Sequence, residues 1–376
     1  MKTILKVFFG LLLTVGLFVF AFYRTPQERA FTKNFKLAQT GDEAASLAVA
    51  HAYETGEGTK PNAEQALQWY QQAAARGSAQ AAWQLFQIYS QGKLTQADPQ
   101  SALTYLQVAA QANHPQAQYE LGNQYLQGQQ VPQHAGQAFF WYMQAAGNNY
   151  APAQAKVDAL QTEDATLYDN LNRFMQSLQA AAKNDPQAQL EVGQAYRYGL
   201  PILQDDVAAF SWFKQAWENS QEQLSQAAYE LGDQYAKGEG VEKDEVAAAN
   251  LFAKAAELKN PAAQHQMGTL AYTDNPPRYE DAFAWFSNAA TQGYAPAQYM
   301  TGFMLLQGQG TKPSIALALR FFEQAAEQND ASAQYVLGQI YTKGLGVKRN
   351  TAKGRAWLER AAENGNASAQ ALLGNY

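Results

Sequence analysis

Four histidines, His51, His114, His134 and His265, are the side chains of this 376-residue chain best suited to hold a metal or carry a proton. They fall in separate segments. None shows the i, i+4 pairing with a nearby carboxylate that a helical zinc site needs. His114 and His134 occupy loop positions, where a solvated imidazole is the expectation. The neighbouring acids Glu54 and Glu57, and Glu239 and Asp244, also read as solvated loop residues rather than an acid–base pair. Cysteine is absent, which removes a thiol nucleophile, a disulfide framework and a lipid-modified N-terminal Cys, and is compatible with an oxidising compartment. Gly-x-Gly loops begin at Gly56, Gly238, Gly308 and Gly344, but each follows a helical pattern instead of a strand, and none runs on into the Gly-Lys-Ser/Thr of a Walker motif. These patterns predict no catalytic residues, no metal and no cofactor.

What is left is binding chemistry, and a regular framework positions it. Gly122, Gly193, Gly232, Gly268, Gly302, Gly338 and Gly374 mark one recurring place, filled elsewhere by Ala50, Phe86 and Asp158. The successive spacings are 36, 36, 36, 35, 39, 36, 34, 36 and 36. A fixed period of this size means a repeat array, in which each repeat buries its apolar face against its neighbours.

Pro115–Asn149 is the clearest repeat. Ala117, Leu121 and Tyr125 recur every four residues on a first helix, Gly122 sits beside that stripe as a packing notch, and Gly128 ends the helix. Ala138, Trp141, Tyr142, Ala145 and Ala146 form the stripe of a second helix. The bulky pair recurs as Trp69-Tyr70, Trp212-Phe213, Trp285-Phe286, Phe321-Phe322 and Trp357-Leu358. The alanine that follows recurs at Ala73, Ala255, Ala289, Ala325 and Ala361. Large side chains facing alanines pack a narrow helical hairpin without voids.

These residues resemble the Sel1-like repeat family, which is related to tetratricopeptide repeats and whose pattern is A-x-x-x-L-G-x-x-Y-x-x-G-x-G-V followed by a Trp/Tyr pair and an Ala pair. The resemblance covers about residue 42 to the C-terminus. It implies an all-α, right-handed solenoid of about nine helix-turn-helix repeats plus a terminal half repeat. It also implies a scaffold or adaptor protein, many of which work in bacterial envelopes. Residues 151–225 depart from the pattern: the glycine loop and bulky pair become QTEDATLYDN and Gln176-Ser177, then Gly199-Leu200-Pro201 and three extra residues follow. This middle is expected to bend the array.

If i, i+4 and i+8 of each first helix are buried, i+2 and i+6 lie about 200° and 240° around the axis and should line a concave groove. Row i+2 includes Trp83, Tyr119, Tyr229, His265, Tyr299 and Tyr335, an aromatic ladder interleaved with amides from row i+6. Tyrosine at i+2 also suits simple packing against the neighbouring helix. One stretch stands out, because Tyr299, Met300, Phe303 and Met304 are all apolar or aromatic, and Val336 and Ile340 extend them. An exposed apolar cluster of this kind marks a partner site, and methionine adds adaptability. The expected partner-binding residues are therefore Tyr299, Met300, Phe303, Met304, Tyr335, Val336, Ile340, Trp83, Tyr119 and Tyr229.

Lys2 and Lys6 precede seventeen uncharged, mostly apolar residues, Val7 to Tyr23, a length between a signal-peptide core and a spanning helix. The expected organisation is a signal anchor over 1–24, a linker or capping helix over 25–41 and the solenoid over 42–376. The repeats would then face the periplasm from the inner membrane. A cleaved signal with a soluble periplasmic domain, or a cytoplasmic-facing domain, are the alternatives, since Arg24, Arg29, Lys33 and Lys36 flank the other side. A net charge of −6, with only 16% charged residues, argues against nucleic acid. The expected function is non-enzymatic binding of envelope proteins, in a secretion or cell-wall machine. Peptidoglycan binding through the aromatic ladder is the alternative, ahead of a cell-wall hydrolase.

Overall fold

The computed structural model describes residues 24–373. Among them are twenty α-helices and no strand, and sixteen of the helices are 13 residues long. Uniform length follows from uniform punctuation. First helices such as Ala79–Gln91, Pro186–Tyr198 and Ala331–Lys343 begin at Ser78, Asp185 and Asp330, whose side chains accept amide protons of the first turn. The same helices stop at Gly92, Gly199 and Gly344, each in the left-handed conformation that glycine tolerates.

Each hairpin closes on the notch glycine. A Cβ at Gly302 would meet Phe322 Cε1 at 2.9 Å, and one at Gly122 would meet Tyr142 Cε1 at 2.6 Å. Gly193, Gly232, Gly268 and Gly338 receive Phe213, Phe252, Phe286 and Leu358 in the same way. The second member of each bulky pair therefore inserts into the space that the glycine leaves. Tyr142, Phe213, Phe286 and Phe322 are fully buried, and Ala109, Ala145, Ala255, Ala289 and Ala325 sit among them.

A second, polar motif links successive hairpins. Gln118, Gln189, Gln264, Gln298 and Gln334 are buried on their first helices. Each donates its amide to a carbonyl at the end of the preceding helix: Gln118 to Ala110 at 3.1 Å, Gln264 to Ala256 at 3.2 Å, Gln334 to Ala326 at 2.9 Å. Each also accepts from an amide side chain at the end of its own hairpin, as from Asn148 to Gln118 and Asn364 to Gln334, both at 2.9 Å. The carbonyls also accept backbone amides, as Ala110 does from Asn113 and Ala326 from Asn329, so the glutamine adds a second donor and ties one hairpin to the next.

The chain divides into two compact units, one running through Arg173 together with Pro201–Leu203, the other comprising Phe174–Leu200 and Gln204 onward. In the first, a helix over Pro26–Gln39 starts with a Thr25–Glu28 capping box and packs Phe31 on Tyr53 and Phe35 on Trp69, with ring centroids 5.3 and 5.6 Å apart. The first unit also holds Ala151–Glu163, where Asp158 occupies the place of the notch glycine and is exposed. Only Asp164 separates that helix from Ala165–Ala181, which is 17 residues long. Pro201–Leu203 packs on the second helix Ala135–Gly147: Gln137 Oε1 accepts the Leu203 amide at 3.2 Å, and the Pro201 carbonyl lies where a Cβ on Gly136 would be.

No helix among the described residues is long and apolar enough to cross a membrane. The apolar run of the anchor expected over 1–24, Val7–Tyr23, lies outside the described residues.

Candidate partner-binding face

The row at i+2 is built by one recurring contact. Its rings lean on the second helix of their own hairpin and on the start of the next repeat. Tyr119 meets Tyr142 and Tyr150, both with centroids 5.4 Å away. His265 meets Phe286 at 5.3 Å and Tyr294 at 5.6 Å, and Trp83 stacks on His114 at 5.1 Å with an interplanar angle of 18°. Tyr229 packs on Phe252, and Tyr335 packs beside Leu358 and accepts the Gln339 amide at 2.7 Å. These side chains are half-buried rather than open. Burial, with Asp233 nearby, pushes the Tyr229 phenol up to about 12, so its hydroxyl is neutral at any ordinary pH.

The apolar cluster around Ala295–Gln307 divides into two groups. Tyr299, Met300 and Phe303 are half-exposed, as is Val336 on the next first helix. Met304 and Ile340 are not: their exposures are 0% and 2%, and they are core residues, packed with Phe286 and with Phe322 respectively. The expectation that they belong to the surface patch is corrected here. Both stand at i+7, which returns to within about 20° of the buried i position at 100° per residue. The half-exposed face over 295–307 and 331–343 thus consists of Tyr299, Met300, Phe303, Tyr335 and Val336, with Gln339 between them. It carries no charge. Trp83, Tyr119 and Tyr229 lie on other first helices and do not join it.

The ionisable groups are structural, but more of them are buried than their loop positions suggest. His114 is only 8% exposed and caps Pro115–Gln127: Nδ1 accepts the Ala117 amide at 3.3 Å and Nε2 lies 3.1 Å from Gln80 Oε1. That pairing requires the Nε2–H tautomer, and burial lowers the imidazole's pKa. His134 caps Ala135–Gly147 in the same way, accepting the Gln137 amide at 2.9 Å. Neither is the solvated loop residue expected. Comparison of positions reveals the role, because Ser78, Asp185, Asn260 and Asp330 cap four other first helices at the place of His114, although Tyr150, Leu224 and Tyr294 stand there without a side-chain cap. Glu54 is likewise held. Burial favours its neutral form, but hydrogen bonds from Tyr70 at 2.9 Å and Lys93 at 3.1 Å outweigh that and keep it ionised below the usual carboxylate range. It therefore cannot serve as a proton donor near neutral pH.

Arg197 was not singled out by any motif. It is buried between the first helices Pro186–Tyr198 and Ser225–Lys237, donating to the Glu230 carboxylate at 2.9 Å, to the Glu230 carbonyl at 3.2 Å, to Asp233, and to Glu239 at 3.3 Å. Lys237 adds a 2.7 Å pair to Asp233. The opposed charges are matched within hydrogen-bonding distance, which explains how Glu230 is tolerated in the interior. No group of His, Asp or Glu among the described residues could hold a metal ion.

The Sel1 repeat pattern matches eight segments, 44–78, 79–114, 115–150, 186–219, 225–260, 261–294, 295–330 and 331–366. The match passes over 151–185, where the notch glycine and its loop are missing. Among solved structures, a protective antigen present in uropathogenic Escherichia coli strains, described as displaying an SLR fold, is 26% identical, with 95% of this chain and 77% of that one covered and a TM-score of 0.48. A Sel1 repeat protein from Oxalobacter formigenes is 25% identical over 92% of this chain and 89% of its own, with a TM-score of 0.47. An immunity protein from Pseudomonas aeruginosa is 17% identical, covering 67% and 83%, with a TM-score of 0.36. No curated protein matches the chain.

Proposed function

Because the chain belongs to the Sel1 repeat family, whose members generally mediate protein–protein interaction and are generally non-catalytic, we propose that it is a non-enzymatic adaptor holding partner proteins of a bacterial envelope assembly on its first helices. The observation that carries this reading is the uncharged, half-exposed face of Tyr299, Met300, Phe303, Tyr335 and Val336. Aromatic and methionine side chains anchored on rigid helices offer apolar area at small entropic cost, and neighbouring Gln339 supplies an amide for orientation. An amphipathic helix or an apolar peptide suits such a face.

The apolar run Val7–Tyr23 supports a tether at the inner membrane, and its short basic start, Lys2 and Lys6, is the usual export pattern, which supports repeats in the periplasm serving a secretion or cell-wall machine. A reporter fused after residue 45 that is active only in the cytoplasm would reverse that orientation. Glycan binding is the weaker reading, since sugar stacking needs an open ring face and His114 covers that of Trp83. Co-sedimentation with purified peptidoglycan should accordingly leave the protein in the supernatant.

The decisive experiment is in-cell crosslinking followed by pull-down with wild type, Phe303→Asp and Tyr299→Ala. A partner lost from both variants, with thermal unfolding close to wild type, supports the face. Recovery of every partner by both variants removes it.

A further inference from the structure

The second helix Ile315–Glu327 differs from its counterparts at the places of Leu317 and Arg320; exposed apolar residues one position earlier, Val207 and Val246, occur on other second helices. Ile315 and Leu317 are 41% and 44% exposed, although most large apolar residues of the repeats are at least half-buried. In other repeats the place of Leu317 holds small, polar or charged residues such as Gln65, Ala247 and Asp281. Arg320 stands three residues beyond Leu317, one helical turn away and on the same side. It is exposed and has no ion pair or hydrogen bond among the described residues. No other repeat has a cation at this place: Thr104, Asn250 and Ala284 occupy it elsewhere. The nearby acid Glu323 is already engaged, by Lys353 at 3.6 Å and by Tyr341 at 2.9 Å.

Leu317, Arg320 and Phe321 form one wall of a groove whose other side is the end of Tyr279–Thr291, with Ala290 and Gly293. A Cβ on Gly293 would touch nothing within 4 Å, so that wall is open. Thr291, Gln298 and Gln324 complete the lining, so the groove is of mixed polarity, with Leu317 and Phe321 as its apolar wall and a single unneutralised guanidinium at its edge. An apolar occupant would bury Leu317 and Phe321, and only an anion would match Arg320.

The geometry points to a second docking site here, one that takes a peptide segment carrying an apolar side chain next to a carboxylate. It lies mainly on second helices, with Gln298 its one lining residue from a first helix, and it includes none of Tyr299, Met300, Phe303, Tyr335 and Val336. The guanidinium selects the acid, and the wall of Leu317 and Phe321 selects the apolar neighbour.

The test titrates the full-length protein with two peptides that carry fluorescein on the N-terminal amine. One is Leu-Ala-Leu-Leu-Asp with a free C-terminal carboxylate, and the other is Leu-Ala-Leu-Leu-Asn with a C-terminal amide. Anisotropy gives affinity, and methyl NMR of Leu317 gives location. The acidic peptide should bind saturably, shift the Leu317 methyls and weaken with salt. Arg320→Gln should cost about two- to fivefold in affinity, the range of an exposed ion pair. Arg320→Glu should reverse the preference toward a Lys-ended peptide, and Phe303→Asp should change nothing. Equal binding of the acidic and amide peptides, no saturable Leu317 shift, or an Arg320→Gln affinity equal to wild type each overturns the site.

Discussion

The notch glycines turn a missing side chain into a position for a ring. At Gly302 a methyl would lie 2.9 Å from Phe322 Cε1 and 3.1 Å from the Ala318 carbonyl, so neither neighbour can retreat without moving a helix. Gly302→Ala should therefore destabilise the protein by ~1–3 kcal/mol, the ordinary cost of overpacking. Gly147, also helical, faces nothing within 4 Å, and Gly147→Ala should be neutral or stabilise by ~0.5–1 kcal/mol. Urea unfolding of the two variants side by side separates a packing role from general helix propensity. His114 provides the second test at this scale. Burial depresses its pKa in the folded state, so as pH falls the unfolded chain takes up the proton first. The neutral ring's contribution is complete above the ordinary imidazole value of about 6.5 and is lost as pH drops from there toward the depressed folded value. His114→Asn keeps a capping side chain and removes the proton, so its unfolding free energy should vary less than wild type's between pH 7.5 and 5. His265, also lowered by burial, retains the rest of the slope in both proteins.

At the scale of helices, the 36-residue period makes the hairpins, their glycine stops and the notch positions legible in the sequence, whereas the entry of the bulky residue into the notch is seen only in the structure. Each of these is a property of one repeat, repeated. Features that depend on two repeats were harder to read. The buried glutamines carry no distinguishing signal in a Gln-rich sequence, and their partners lie 8 residues back and 30 ahead at Gln118 and Gln334. Arg197 and Glu230 are 33 residues apart, and only the register of neighbouring first helices brings them together. Met304 and Ile340 could have been placed correctly from the same helical wheel that placed Tyr299, since i+7 belongs to the buried side. The glutamine ladder makes its own prediction. Gln334→Met preserves volume but removes two hydrogen bonds, while the Ala326 carbonyl keeps the Asn329 amide and exposed Asn364 can turn to water. It should lower stability by ~0.5–1.5 kcal/mol, measured by urea denaturation, whereas exposed Gln324→Met should change it little.

For the whole molecule, repeat arrays distribute stability as a sum of local terms and neighbour interfaces, with no single core to collapse. Here the hydrophobic clusters follow one another along the chain: Leu305, Phe322 and Leu337 in one, Phe286 and Met304 in another, and Leu85, Leu106 and Leu121 in a third within the other compact unit. Damage at one notch should therefore be felt locally. In Gly302→Ala, amide hydrogen exchange should accelerate across 295–327 and in the first helices on either side, Pro261–Thr273 and Ala331–Lys343. Exchange over 79–127 should stay at the wild-type rate, because no cluster is shared with that segment. Uniform acceleration across both units would instead mean that the chain unfolds as one cooperative body, and the nearest-neighbour account would fail.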